Sequence, residues 1–180
     1  MTRRLGEEEG TALVELALVL PLLLVLMLGM LDFGKAFNSW IDETHLANQG
    51  ARLASVAYPA IVGSCDGSTA ANPNTCLAQY IQQSADLAEL KSGRTGDAYA
   101  AAQSPAQVCI SYPTNPSTNT FGNVGDPVQV TVQSTYHWLN YLVKQVSLGA
   151  TPILGQATMR LERQAAAGAK SAPGTKTCYP

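Results

Sequence analysis

The sequence predicts an α+β fold in which a long N-terminal helix packs on a small antiparallel sheet of about three strands. Three observations predict it. The segment from Leu16 to Leu31 contains nine leucines and no charged residue. After it, apolar residues keep helical spacing as far as Tyr58, and three later segments alternate apolar and polar residues as strands do. The apolar face of such a sheet needs a cover, and the second half of the helix supplies one.

The first part of the helix is apolar enough to cross a membrane. From Thr11 to Leu31 the run has 21 residues, with Glu15 as its one charged residue. At about 1.5 Å per residue it measures roughly 31 Å, the thickness of a bilayer's hydrocarbon core. A buried core helix would show a polar face, and a cleavable secretory signal would end in a small-residue cleavage site. Neither feature is present, so we expect residues 11–31 to form a retained transmembrane helix.

The flanking charges predict its orientation. Arg3 and Arg4 precede the apolar run, and Lys35 is the one basic residue just after it. Basic residues favour the cytoplasmic side of a membrane. We therefore expect a cytoplasmic N-terminus, with everything after residue 32 exported.

Residues 32–58 are predicted to continue the helix as an amphipathic half, giving one helix from about Ala12 to Ala57 that ends before Pro59. Pro21 lies inside it and should kink it, because proline removes one backbone hydrogen bond. The apolar positions of this half are expected to form one stripe that packs on the rest of the protein. They are Phe33, Phe37, Trp40, Ala47, Ala51, Ala54 and Tyr58.

Residues 59–163 are predicted to form an exported α+β head. Residues 59–75 read as a loop, residues 77–90 as a helix with Gly93 as its stop, and residues 138–146 as a short helix. The strands are predicted at 106–112, 127–136 and 153–162. Residues 164–180 form a tail of low complexity, expected to be irregular and tethered by Cys178.

All four cysteines lie in the part expected to be exported, which predicts disulfides. Their positions are Cys65, Cys76, Cys109 and Cys178. Three pairings are possible, and we favour Cys65–Cys76, which closes a short loop, together with Cys109–Cys178, which fixes the tail to a strand. A zinc site is the rival interpretation, but it lacks a close cysteine pair with two to four residues between the cysteines.

Composition and motifs argue against several functions. The net charge is -2 and only 13% of residues are charged, which argues against nucleic-acid binding through a basic surface. No nucleophile elbow, zinc-protease, phosphate-loop or dinucleotide motif is present, so we expect no enzyme activity, no cofactor and no small-molecule substrate. Asp42 and His45 share a helix face, but two such residues are more often incidental than a metal site.

The junction before the apolar run carries a resemblance. RRLGEEEG ends in Gly10, TALVE places Glu15 five residues later, and the apolar run follows. This arrangement resembles the leader of type IV pilins and pseudopilins. The sequence from ALVELALVLPLLL to NQGARLASV is similar to that of TadE-like pseudopilins of the Flp (tight-adherence) pilus system. A late A-x-M-R-x-E strand, with Ala157 and Arg160, agrees with it.

The resemblance implies a pilin-like fold and a role as a minor pilin or pseudopilin in surface pili that support adhesion and biofilm formation. It implies that residues 1–10 are a leader, which a prepilin peptidase removes between Gly10 and Thr11. It also implies a role for Glu15 in assembly, with the inner membrane, other pilins and an assembly platform as partners. The alternative is a periplasmic binding or enzymatic domain for which the helix is only a tether.

Overall fold

The computed structural model describes residues 5–57, 73–87, 90–91, 106–138, 149–165 and 175–179. Its helices are α1 (Leu5–Ser55) and α2 (Pro73–Gln83), and its strands are β1 (Gln107–Ser111), β2 (Pro127–His137), β3 (Ala150–Arg160) and β4 (Thr177–Tyr179). The α+β class predicted from the sequence is confirmed. The predicted loop at 59–75, the short helix at 138–146 and the stop at Gly93 lie wholly or largely outside the described residues.

The chain divides into two units, Met1–Phe37 and Asn38–Pro180. In the first unit, α1 begins at Leu5 rather than near Ala12, so the helix already includes the junction at Gly10. Pro21 lies inside α1 without ending it. The most apolar 18-residue stretch of α1 has a mean hydropathy of 2.6 and none of it is buried, so by length and composition this helix could span a membrane.

The second unit is built on an antiparallel sheet with the strand order β3-β2-β1-β4. The first three strands match the alternating segments of the sequence, and β4 comes from the tail that was expected to be irregular. Thr177–Tyr179 pairs with β1 in a register that places Cys178 opposite Cys109. Within the described residues the sheet therefore has four strands, where about three were expected. A strand of three residues is too short to show alternation, so periodicity could not predict it.

One face of the sheet is buried, as the alternation predicted. Val128, Val130 and Val132 of β2 are fully buried, and so are Val108 and Ile110 of β1. The Asn38–Ser55 part of α1 and the helix α2 contribute the other side of this core. Their buried members are Leu46, Ala47, Ala51, Ala54, Cys76, Leu77, Ala78 and Ile81.

The stripe predicted on α1 is partly wrong. Ala47, Ala51 and Ala54 are buried, but Phe33, Phe37 and Trp40 are 64%, 50% and 47% exposed. The charged residues Asp42 and Glu43, which are not part of the predicted stripe, are buried. The reason within the second unit is that the sheet packs on the helix face that carries Glu43, Leu46 and Gly50. Trp40 lies at the edge of that face.

The helix α2 is shorter than predicted. It ends at Gln83, where the amide of Ser84 donates to the carbonyl oxygens of both Tyr80 and Ile81 and the Ser84 hydroxyl also donates to Tyr80. The chain then turns, and the amide of Leu87 donates to Oδ2 of Asp42 at 3.1 Å. A side chain from α1 thus accepts the hydrogen bond that a continued helix would have made internally.

Candidate functional site

The predicted cleavage junction lies on the surface of α1. Gly10, Thr11 and Glu15 are all exposed. A Cβ atom added to Gly10 would meet no atom within 4 Å, so nothing in the packing of this position requires a glycine. Thr11 and Glu15 are four residues apart on the helix and therefore share a face.

The apolar surface that follows the junction is continuous. Each leucine and valine side chain from Leu13 to Leu26 has an exposed fraction of at least 45%. In water, an exposed surface of this kind would be unfavourable, since burial of apolar surface is worth about 25 cal/mol per Å². A bilayer or the helices of neighbouring subunits would remove it from water.

The disulfide between Cys109 and Cys178 is present in the structure and is one of the two pairings favoured from the sequence. It links β1 to β4 across 69 residues of sequence. Cys76 is also disulfide-bonded and lies in α2, whereas Cys65 lies outside the described residues. The favoured pairing of Cys65 with Cys76 therefore stays a prediction.

A comparison with known protein families finds a match that lies within α1. Residues 10–52 match the family model described as TadE-like protein. The resemblance seen in the sequence is confirmed over this segment, which starts at Gly10 and lies entirely within α1. The TadE-like family is a pilus-associated structural family rather than an enzymatic one. Neither a comparison with curated proteins nor one with solved structures gives a significant match.

The TadE-like segment also contains a buried carboxylate that sequence reasoning missed. Glu43 is fully buried where α1 packs on the sheet. Its Oε1 accepts a 2.5 Å hydrogen bond from the hydroxyl of Ser134 on β2, and its Oε2 is buried without a hydrogen-bond partner. Burial raises the pKa of Glu43 to about 7; the bond from Ser134 lowers it, and the nearby charge of Asp42 raises it further.

The backbone of Glu43 explains why β3 carries a glycine. A Cβ atom at Gly155 would overlap the carbonyl group of Glu43 and the amide nitrogen of Thr44. The helix therefore lies directly on the strand at this point, and no larger residue fits without displacing one of them. About two turns further along α1, a Cβ atom added at Gly50 would meet the side chains of Ile81 and Val130.

A second buried carboxylate organises the loop before β2. The side chain of Asp126 accepts hydrogen bonds from the backbone amide of Asn123 at 3.0 Å and the hydroxyl of Thr120 at 2.9 Å. Further bonds come from Asn115 at 3.1 Å and Thr118 at 3.4 Å. Burial acts to raise the pKa of Asp126, but these bonds outweigh it and hold the pKa below its usual value.

Asp42 and His45 do not form a common site in the structure. Asp42 is buried and accepts the amide of Leu87, whereas His45 is exposed and its Nδ1 lies 3.4 Å from Nε2 of Gln49. Among the described residues, no group of three or more histidine, cysteine, aspartate or glutamate side chains could hold a metal ion.

An open cavity of about 650 Å³ lies beside the end of α1 in the second unit. Arg52 and Glu162 bring opposite charges to its wall, and Leu53, Tyr80 and Met159 bring apolar surface. Among the described residues that line it, no nucleophile is hydrogen-bonded to a base.

Sequence patterns contained a signal for Glu43 but none for Asp126. Glu43, Ala47, Gly50 and Ala54 are spaced by four, three and four residues, the spacing of one helix face, so the glutamate could have been assigned to the buried side. The donors to Asp126 come from a loop of threonine and asparagine residues without regular spacing. Such a network is visible only once the loop is folded.

Proposed function

We propose that this chain is a minor pilin or pseudopilin that serves in the biogenesis of Flp/Tad-type surface pili, which support adhesion and biofilm formation. The observation that carries the proposal is the TadE-like match over residues 10–52, which falls on one uninterrupted helix with an exposed apolar surface. Subunits of this kind act through contacts between helices, and an unburied apolar helix provides the surface for them.

In this proposal a prepilin peptidase cuts between Gly10 and Thr11 on the cytoplasmic side of the inner membrane, and the head faces the periplasm. Two features support the cut site. Gly10 has open space around its Cα, so packing does not explain a glycine there, and the junction is exposed to a protease. Because α1 already begins at Leu5, the peptidase would have to unwind about one turn of helix around the junction.

Cleavage would give Thr11 a free amine at the membrane edge. The carboxylate of Glu15 on a neighbouring subunit would then neutralise it, since opposite charges attract far more strongly in a medium of low dielectric constant than in water. Pairing of this kind would fix the axial stagger of neighbouring helices. Pro21, within the same apolar segment, would adapt the helix to such packing by a kink.

The test is the mature N-terminus of the membrane-bound protein, read by mass spectrometry. We expect a chain that starts at Thr11. Gly10→Leu should retain the leader, whereas Gly29→Leu, a matched control at another exposed helix glycine with open space around it, should be cleaved normally. A chain that keeps its leader in cells producing functional pili would contradict the proposal.

Glu15→Ala separates processing from assembly. We expect it to be cleaved like the unchanged chain but to be lost from fractions that contain pilus components. Glu15→Gln should behave like Glu15→Ala, because it removes the charge while keeping the shape. Normal co-fractionation of both variants would favour the alternative of a head on a simple tether, for which the cavity beside Arg52 would be the place to look for a ligand.

A further inference from the structure

The end of the β2–β3 hairpin lies at the same end of the second unit as Asn38. Three contacts fix this direction. The carbonyl oxygen of Ser55 accepts the amide of Glu162 at 2.8 Å, Gly50 lies against Val130, and the side chain of Glu43 meets Ser134. The helix α1 and the strand β2 therefore run in opposite directions, so that earlier residues of α1 lie beside later residues of β2, towards Trp138.

The hairpin end reaches at least as far in that direction as Asn38 does. From Glu43 to Asn38 the helix extends by roughly 7.5 Å at about 1.5 Å per residue. From Ser134 to Trp138 the chain extends by roughly 13 Å at about 3.3 Å per residue. Only six residues, 32–37, separate Asn38 from the end of the apolar run at Leu31.

The side chains at this end suit a membrane interface. The rings of Tyr136 and Trp138 meet edge to face with centroids 5.3 Å apart, and the indole nitrogen of Trp138 donates to the hydroxyl of Thr151 at 2.8 Å. On β3, Thr151 pairs with Tyr136 and Pro152 pairs with Thr135, and both β3 residues are exposed. Tyrosine and tryptophan favour the headgroup region, because one part of each ring system is apolar and the other is polar.

The charge of this part of the chain also favours contact with a lipid surface. The sequence from Gln133 to Gln156 contains no aspartate or glutamate and one lysine, Lys144. A lipid surface with anionic headgroups would therefore meet no acidic side chain from this stretch of the chain, and approach would cost no like-charge repulsion.

We propose that this hairpin end, formed by Tyr136, Trp138, Thr151 and Pro152, rests on the phospholipid surface and gives the head a second membrane contact beside the helix. The inference rests on the proposed membrane anchoring of α1. It implies that the head is held against the bilayer before assembly and must leave it when the subunit is drawn into a pilus. The partner is the lipid surface itself, which the covalent link to the apolar run keeps within reach.

Tryptophan quenching tests this with the full chain in vesicles of phosphatidylethanolamine and phosphatidylglycerol, part of the lipid brominated near the headgroup. The chain has two tryptophans, so Trp40→Phe leaves Trp138 as the reporter and Trp138→Phe leaves Trp40. A chain with both replaced and Val124→Trp added places a reporter at a 66% exposed position, in the loop preceding the opposite end of β2.

We expect brominated lipid to quench Trp138 several-fold more strongly than the tryptophan at position 124. Equal quenching of these two reporters, in chains that float with the vesicles, would overturn the membrane contact while leaving the anchor intact. Failure of the chain to float with the vesicles would overturn the anchor and this inference with it.

Discussion

The hydroxyl of Ser134 donates a 2.5 Å hydrogen bond to Oε1 of Glu43, although 91 residues separate the two in sequence. This bond joins α1 to β2 inside the second unit, at a point where the other carboxylate oxygen of Glu43 is buried without a partner. A buried carboxylic acid with one hydrogen bond is tolerable when protonated and costly when ionised. The packing of helix on sheet therefore depends on the protonation of one side chain.

We predict that Glu43 makes the protein less stable as the pH rises from 4.5 to 7. The folded-state pKa of about 7 lies above the ordinary glutamate value of 4.5, so in this window the folded state holds a proton that the unfolded state has lost. The stability associated with the proton is fully present below pH 4.5 and is lost as the pH rises through 7. The loss amounts to roughly 3 kcal/mol at most.

Glu43→Gln tests this prediction by denaturant unfolding of the full chain in detergent micelles between pH 4.5 and 8. Because the amide oxygen can still accept from Ser134 and carries no charge, we expect the variant to lose most of the decline in stability over this window. Glu162→Gln, at an exposed position, serves as the control and should keep it. A decline that persists unchanged in Glu43→Gln would show that another group causes it.

We predict that Gly155→Ala destabilises the protein by about 1 to 3 kcal/mol, the usual cost of forcing an extra methyl group into a packed site. The methyl group would overlap the carbonyl of Glu43, and a helix backbone cannot move aside as a side chain can. Gly34→Ala is the matched control: a Cβ there meets nothing within 4 Å, and alanine is favourable inside a helix. Equal unfolding midpoints for the two variants would contradict the close approach of α1 to β3.

We predict that Asp126 stabilises the protein at neutral pH and that this contribution is lost in acid. Its folded-state pKa lies below the usual value, so the stability is present above the unfolded-state pKa and disappears as the pH falls through the folded-state pKa. Asp126→Asn should lower the thermal unfolding midpoint at pH 7 and weaken the dependence on pH below 4. Asp86→Asn, at an exposed position, should change neither quantity.

The sequence predicted the parts of the fold that follow from regular spacing. Alternation located β1, β2 and β3, and an uninterrupted apolar run located the first half of α1. It placed Phe33 and Trp40 on the buried stripe because it treated every apolar residue as a core residue. The sheet instead covers the face with Glu43 and Gly50, where small residues permit close packing.

What spacing could not show was the contribution of distant contacts. The strand β4 forms through its pairing with β1. After α2 ends, Asp42 on α1 accepts the hydrogen bond from the amide of Leu87. The donors to Asp126 come together only in the folded loop. For the candidate site, a local motif predicts the junction at residues 10–15. Helical spacing could have placed Glu43 on the buried face, but its bond to Ser134 could not be foreseen, because Ser134 lies 91 residues away in sequence.

We predict that the disulfide of Cys109 and Cys178 stabilises the second unit by about 4 kcal/mol, the value expected from loop entropy for a separation of this length. The separation is 69 residues, and β4 has only three residues to hold the tail against β1. Replacing both cysteines by serine should therefore lower the unfolding midpoint and expose the tail to proteases.

Limited proteolysis with mass spectrometry would detect cleavage in residues 164–180. This cleavage should be slow in the unchanged chain and fast in the serine variant. Treating the unchanged chain with a reductant should raise its cleavage rate to that of the variant. Alkylation without reductant should add no mass at Cys109 or Cys178, and modification of these two cysteines in protein isolated from the periplasmic side would contradict the bond.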